Sequence, residues 1–409
     1  MGKLSMFGIT LEGNRTVYFP GDFIKGQVLI QVTEPMKMKA IKIKFVGRAY
    51  VHWSETHTTG SGENQRTETR HYSATENLFE QTVIVHGEGA NEQTKLPQGQ
   101  HVFPFQYQLP APLPSSYEDS IGYIRYWVKG TIVKPWKFDK HTTRAFTVLD
   151  TLDLNNIPNI LTPSGHSDTK TLCCWCCTSG PIEAEFHTDR SGYVPGEYIL
   201  INAAITNSSN SKVKYTSAQL MQNVTYHATT KTRNDSRVVN TITGPGVGKR
   251  ATENWTNERL QIPPLPPSEL LHCRIIDISY SVIFQAHLRT CAVDMRLYAP
   301  ITIGTIPIRS LQMYGNQPPQ PIGIEPLAVT PSAPPNESFP PNPSPNPEQA
   351  TSAYPTPGTF NLPPPSYASA TGGGAIIKDD DDGYTMGDTS FTPQYTYYDW
   401  NQSTFTSNK

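Results

Sequence analysis

The chain has 409 residues, a length that exceeds one hydrophobic core and predicts two domains with an additional segment. The formal net charge of −2 excludes a general electrostatic attraction to nucleic acid or acidic lipid, and we expect no nucleic-acid partner. The 37 prolines, 29 glycines and 20 tyrosines suit turns and strands better than helices.

The N-terminal residues lack the apolar run of a secretory signal peptide, so we expect a cytoplasmic protein. No stretch approaches about 18 consecutive apolar residues, the length that predicts a membrane-spanning helix. The six cysteines are therefore expected to be reduced thiols, because disulfides are rare in the cytoplasm.

The first predicted domain, residues 5–150, has the pattern of β-strands. Residues 41–45 alternate isoleucine and phenylalanine with two lysines, the period-two pattern of a half-buried strand. The same alternation occurs over residues 103–109, and Tyr123–Val133 is rich in aromatic and β-branched residues. Because long amphipathic helical patterns are missing from this sequence, we predict an all-β domain.

A cysteine cluster marks the predicted connection between domains, residues 151–179. It consists of Cys173, Cys174, Cys176 and Cys177. Neighbouring thiols point apart and lack the usual spacing of a zinc hairpin, so we predict no metal site and no cofactor. The remaining interpretations are packing with partial exposure, which is the default, and acylation beside a membrane.

The second predicted domain, residues 180–308, repeats a motif of the first. Val17–Ile24 contains a Pro-Gly-acid turn followed by an apolar strand, and Gly192–Ile199 repeats this pattern 175 residues later. Solenoid repeats have periods of about 20–50 residues, so the longer offset indicates two duplicated domains. Further apolar runs at Tyr198–Ile205 and Ile275–Phe284 make this domain all-β as well.

The last segment, residues 309–409, is rich in proline, serine and asparagine and is predicted to be a disordered, extended chain. It contains Pro364, Pro365 and Tyr367 in the pattern Pro-Pro-x-Tyr. Adjacent prolines preform a polyproline II helix that docks in an aromatic groove, and the tyrosine falls one turn later at a second pocket. This spacing predicts a WW-domain ligand, with a chance match as the alternative.

Two further segments resemble such ligands less closely. Pro393 and Tyr395 match a WW site that has lost its first proline, and this half-site is either a weak second site or a chance match. Bound together with the first site, it would add avidity on a partner with several WW domains. Pro263–Pro266 lies between predicted strands, so we interpret it as a structural connection.

Residues 5–308 resemble the α-arrestins, also called arrestin domain-containing proteins. The motifs that carry the resemblance are the two Pro-Gly-acid turns, Leu113–Glu118, Tyr123–Lys129, Thr171–Cys174, Thr178–Pro181, Ile262–Ser268 and Ile303–Pro307. The resemblance implies two tandem arrestin-like (immunoglobulin-like) β-sandwich lobes. It also implies an adaptor that links cytoplasmic segments of membrane receptors or transporters to a WW-domain HECT E3 ubiquitin ligase.

Basic residues of the first domain are candidates for binding cargo. Arrestin-type sandwiches use such a face for acidic or phosphorylated tails, and Lys42, Lys44 and Arg125 are the residues that we select. The alternative is a solvated outer face of a sheet.

The predicted function is non-enzymatic, because neither Gly-x-Ser-x-Gly nor His-Glu-x-x-His occurs in the sequence. We expect a cytoplasmic trafficking adaptor that is recruited to the plasma membrane and endosomes and associates with membranes peripherally. It would promote ubiquitination, endocytosis and sorting of its cargo. The alternative is an arrestin-fold scaffold subunit of a vesicle or endosomal coat that recruits no ligase.

Overall fold

The structure is a computed structural model. It describes residues 3–60, 65–87, 94–174, 177–288, 294–312, 375–376, 385–386 and 390–398. Strands dominate this part of the chain, which confirms the predicted all-β class. Its helical elements are the short helix α1 (Arg309–Gln312) and 3₁₀ turns at Glu12–Asn14 and Leu154–Asn156.

The first lobe is a β-sandwich. Its strands are β1 (Leu4–Leu11), β2 (Val17–Tyr18), β3 (Phe23–Val32), β4 (Met36–Met38), β5 (Ala40–Thr59), β6 (Arg66–His86), β7 (Thr94–Leu96), β8 (Gly99–Gln108), β9 (Tyr117–Glu118), β10 (Gly122–Val133) and β11 (Lys140–Val148). One sheet has the order β1-β3-β8 and the other β2-β11-β10-β5-β6, with β9 beside β10 and β4 paired with β7. Phe45 of β5 stacks on Tyr107 of β8 with ring centroids 4.4 Å apart, so both sheets enclose one core.

The second lobe is a sandwich of the same kind. Its strands are β12 (Gly165–Cys174), β13 (Cys177–Thr188), β14 (Gly192–Tyr193), β15 (Tyr198–Asn207), β16 (Val213–His227), β17 (Thr232–Gly244), β18 (Ala251–Gln261), β19 (Ile276–Leu288) and β20 (Met295–Ile303). The sheets have the orders β12-β13-β15-β18 and β14-β20-β19-β16-β17. Trp255 and Phe284, one from each sheet, meet edge to face at 5.2 Å, so this core also lies between two sheets.

The predicted period-two pattern of β5 is confirmed. Ile41, Ile43 and Phe45 are fully buried, whereas the intervening Lys42 and Lys44 are partly exposed. One face of β5 therefore supplies the core and the other carries basic side chains, as a half-buried strand requires.

The two Pro-Gly-acid turns occupy equivalent places in the lobes. The two-residue strand before each turn pairs in parallel with the last strand of its lobe, β2 with β11 and β14 with β20. Gly21 and Gly196 have φ of +87° and +99°, where a side chain strains the backbone. The repeated sequence therefore builds the same corner twice, in agreement with two duplicated sandwich lobes.

An arginine that lies outside the repeated motif completes each corner. In the second lobe, Arg190 bonds Glu197 at 2.9 Å, and Glu197 also accepts the backbone N–H of Val194 at 2.9 Å. In the first lobe, Arg15 bonds Asp22, which accepts the N–H of Phe19 at 3.0 Å. Arg15 and Arg190 are also 175 residues apart, so extending the repeat by two residues would have found them.

Three short strands in the C-terminal segment complete the described chain. They are β21 (Ala375–Ile376), β22 (Thr385–Met386) and β23 (Ser390–Phe391). β21 pairs with β23, and β22 pairs in parallel with β11 at the edge of the first lobe. The C-terminal segment therefore reaches the folded lobes.

Candidate functional site

The predicted WW ligand, Pro364, Pro365 and Tyr367, lies outside the described residues. Its sequence pattern remains the basis of the prediction. No helix in the described part of the chain is long and apolar enough to cross a membrane.

The predicted half-site at Pro393 and Tyr395 lies within the described residues, and both side chains are buried. It belongs to residues 390–398, which we call the strap. The strap follows the edge of the first lobe, where the Gln394 N–H donates to Thr147 Oγ1 at 3.1 Å and Thr16 Oγ1 donates to Gln394 Oε1 at 2.8 Å. A solvated chain was expected here, and the difference arises because the strap's aromatic residues bury apolar surface against both lobes.

Tyr395 fills a socket in the first lobe. Its side chain is 6% exposed, and its hydroxyl donates to the backbone carbonyl of Ser116 at 2.9 Å. Ser116 is itself fixed, because its Oγ accepts the N–H of Val148 at 2.9 Å. The socket is therefore built on β11 and the segment that precedes β9.

Tyr398 fills a second socket, in the second lobe. Its hydroxyl donates to the carbonyl of Thr305 at 2.8 Å, and its ring packs in a small apolar cluster with four side chains. These are Leu154, Ile160, Val194 and Ile308. Burial raises the pKa of the Tyr398 hydroxyl, and the neighbouring Glu197 carboxylate raises it further. The hydroxyl therefore stays protonated and keeps its donor role.

The Pro-Gly turn of the second lobe contacts the strap backbone directly. The N–H of Tyr398 donates to the carbonyl of Pro195 at 3.0 Å. A Cβ added at Gly196 would lie 1.9 Å from the carbonyl oxygen of Tyr398, whereas one at Gly21 would meet only Ala111, at 3.9 Å. Thus the two corners share a fold, but the strap backbone lies against the glycine of the second corner and not against that of the first.

A hydrogen-bonded network joins the two lobes. The hydroxyls of Tyr117 and Tyr226, one from each lobe, lie 3.1 Å apart and both donate to Asp119 Oδ2, at 3.0 and 2.7 Å. Burial alone would raise the pKa of Asp119, but hydrogen bonds from Tyr226 and the Ser120 backbone outweigh it and lower this pKa. Asp119 is therefore a partly buried carboxylate that stabilises the contact between the lobes.

The three basic candidates of the first lobe have different surroundings. Arg125 donates two hydrogen bonds to buried Glu118, at 2.5 and 2.8 Å, and Lys44 pairs with Glu80 at 2.8 Å. In the described part of the chain, Lys42 forms no ion pair. The structure thus brings the residues to one sheet, but gives two of them carboxylate partners.

The cysteine cluster lies where β12 ends and β13 begins. The backbones of Cys173, Cys174 and Cys177 belong to these strands, whereas Cys176 lies outside the described residues. Among the described residues, no group of three or more His, Cys, Asp or Glu side chains is placed to hold a metal ion.

Pro263–Pro266 lies in the connection between β18 and β19. The Leu265 side chain is buried, and the carbonyl of Pro266 accepts the Tyr280 hydroxyl at 2.8 Å. In the first lobe, Tyr126 donates to Pro114 in the same way, at 2.6 Å. These contacts agree with its interpretation as a structural connection.

Comparison with known proteins adds family matches for both lobes. The family description Arrestin (or S-antigen), N-terminal domain, matches residues 7–155, and its C-terminal-domain counterpart matches residues 178–308. Arrestin domain-containing protein 17 of Caenorhabditis elegans is 34% identical over 340 residues, which cover 79% of this chain and 76% of that protein. Arrestin domain-containing protein 4 of Mus musculus is 32% identical over 313 residues, 75% of this chain and 73% of the relative. Arrestin domain-containing protein 1 of Homo sapiens is 31% identical over 342 residues, 82% and 73% respectively.

Proposed function

Because the chain belongs to the α-arrestin (arrestin domain-containing) family, we propose that it is a trafficking adaptor that brings a WW-domain HECT ubiquitin ligase to membrane-protein cargo. The observation that carries the proposal is Pro-Pro-x-Tyr at Pro364, Pro365 and Tyr367, on a segment that follows two arrestin lobes. Ubiquitination of the bound cargo would then direct its endocytosis and sorting at the plasma membrane and endosomes.

The physical basis of ligase recruitment is a low entropic cost of docking. Adjacent prolines hold the polyproline II conformation, so the ligand loses little freedom on entering an aromatic groove. The tyrosine then supplies the second contact, and its loss is expected to weaken binding at least tenfold, about 1.4 kcal/mol.

The decisive experiment is a pull-down of the full chain with isolated WW domains. Tyr367→Ala is expected to reduce retention at least tenfold. Tyr354→Ala is the matched control, since it removes a tyrosine from the same proline-rich segment without touching the motif. Equal retention of wild type and Tyr367→Ala would refute the proposal that this motif recruits the ligase. Stoichiometric co-purification with coat subunits, insensitive to Tyr367, would favour a coat scaffold.

Cargo binding is proposed for the basic face of the first lobe. Lys42 is the best candidate there, because Lys44 and Arg125 already pair with Glu80 and Glu118. An acidic or phosphorylated peptide would gain charge-assisted hydrogen bonds from this face. Lys42→Glu should reduce capture of such a peptide several-fold. If it does not, the face is a solvated sheet surface.

A further inference from the structure

The strap bridges both lobes through side-chain sockets as well as backbone contacts. Tyr395 enters the first lobe and Tyr398 the second, and each is 6% exposed. Pro393, two residues before Tyr395, is buried as well. A segment that merely rests on a surface would not place two aromatic hydroxyls on carbonyl acceptors in two different lobes.

The C-terminal segment adds the short strand β22 to the edge of the first lobe. β22 pairs with β11 in parallel, Thr385 opposite His141 and Met386 opposite Thr142. Further along, the strap's Gln394 N–H reaches Thr147. Such pairing with a sheet edge gives affinity through the main chain, and side-chain pockets give selectivity.

We propose that the cleft at the junction of the lobes is a peptide-binding site for an extended Pro-x-Tyr-x-x-Tyr segment, with this chain's own residues 390–398 as the resident ligand. The name junction cleft is used below for this site, which is lined by Thr16, Ser116, Thr147, Pro195, Gly196 and Thr305. The inference does not depend on ligase recruitment.

The sockets select tyrosines whose hydroxyl is not phosphorylated. Both hydroxyls donate to backbone carbonyls, of Ser116 and Thr305, and a carbonyl accepts but cannot donate. A phosphate in either socket would put acceptor oxygens against the carbonyl, and in the second socket it would also face the carboxylate of Glu197. The ligand class is therefore an unphosphorylated tyrosine peptide.

The second Pro-Gly turn provides the closest approach. A Cβ at Gly196 would lie only 1.9 Å from the carbonyl oxygen of Tyr398 in the strap. Any side chain at this position therefore displaces the strap. Gly21 has a similar positive φ, but nothing of the strap lies within 4 Å of a Cβ there. Gly196→Ala and Gly21→Ala therefore form a matched pair, with similar backbone strain and different effects on the cleft.

One consequence concerns the WW half-site, and this consequence rests on the proposed function. A WW domain reads the same Pro393 and Tyr395 that the junction cleft buries. The two partners therefore compete for the half-site, and a WW domain reaches it only after the strap leaves the lobes. In a Tyr367→Ala background, Gly196→Ala should then increase WW binding and Gly21→Ala should not.

The test of the site itself uses full-length protein and a fluorescent peptide of residues 385–398. Fluorescence anisotropy compares wild type with the double variant Tyr395→Ser/Tyr398→Ser, whose own strap cannot fill the sockets. A tethered ligand acts at an effective concentration on the order of 1 mM. With an intrinsic Kd of about 100 µM, the variant should bind the peptide about tenfold more tightly than wild type.

Controls separate the sockets from general adhesion. The same peptide phosphorylated at Tyr395 and Tyr398, or with alanine at these two positions, should lose at least tenfold in affinity for the double variant. Gly196→Ala should bind the free peptide no better than wild type, because its alanine blocks the incoming strand too, whereas Gly21→Ala behaves as wild type.

Three results of the peptide-binding measurements would overturn the proposal. Equal peptide binding by wild type and the double variant would show that the strap does not occupy the cleft. Absence of binding to the double variant, or undiminished binding of the phosphorylated peptide, would show that the cleft is not a tyrosine-selective site. Failure of WW binding through Tyr367 would refute ligase recruitment and leave these measurements unaffected.

Discussion

The largely buried arginine of the second corner provides the sharpest test of how the lobes are stabilised. Arg190 donates to Glu197 at 2.9 Å and to Asp189 at 3.0 Å, and the Arg190 and Glu197 side chains are only 13% and 12% exposed. Arg190→Met keeps most of the side-chain volume and leaves Glu197 without its cation. Removing one partner of a buried ion pair costs about 3–5 kcal/mol, and we expect that loss in the free energy of unfolding.

The equivalent arginine of the first lobe is the matched comparison. Asp22, the partner of Arg15, is 30% exposed, so water solvates the remaining carboxylate after Arg15→Met. The expected loss there is smaller, about 1–2 kcal/mol. Because two lobes need not unfold together, amide hydrogen exchange resolved by lobe is the appropriate assay, with urea unfolding as the global measure. A cost for Arg15→Met equal to that of Arg190→Met would refute the argument from burial.

The Arg190→Met variant should also depend on pH in a definite direction. Burial raises the pKa of Glu197, and Arg190 opposes this rise, so losing the arginine raises the pKa further. A carboxyl with a raised folded-state pKa takes up a proton on folding, so stability falls as pH rises above its unfolded value of 4.5. The deficit should therefore be larger at pH 8 than at pH 5. Glu197→Gln in the same chain should recover part of it, and a double variant no more stable than Arg190→Met would exclude an uncompensated charge as the cause.

Three further predictions concern other hydrogen bonds of the fold. Tyr226→Phe removes a hydroxyl bonded to Asp119 and should cost about 1.5–3 kcal/mol in thermal unfolding, whereas Tyr298→Phe, at an exposed tyrosine, should cost nothing measurable. The lowered pKa of Asp119 means that its contribution is complete above pH 3.8 and is lost as pH falls below it, so Asp119→Asn should reduce acid sensitivity in a pH titration of stability. Ser268→Ala leaves the Ile303 N–H without its acceptor at 2.8 Å. The free energy of unfolding should fall by about 1–3 kcal/mol, which urea unfolding measures as a lower midpoint.

The sequence alone determined the fold class and the duplication. Alternation in residues 41–45 reflects a strand with one buried face, a local property that the side chains record directly. The repeated Pro-Gly-acid turns show two related lobes, because a positive φ after proline restricts the residue types wherever the corner occurs. The Pro-Pro-x-Tyr motif is likewise local, so its prediction needs no tertiary structure.

The tertiary structure decided where the WW half-site at Pro393 and Tyr395 lies. Composition predicted an extended chain through Tyr395, yet the aromatic side chains of 390–398 bury themselves against residues more than ninety positions away, such as Thr305. The polar network of Tyr117, Asp119 and Tyr226 cannot be predicted from the sequence for the same reason. Tyr226 is over one hundred residues away from Asp119, and only the fold brings them together. Composition reports what a segment does on its own, whereas burial depends on which surface the fold presents to it, and only the assembled lobes present the two sockets.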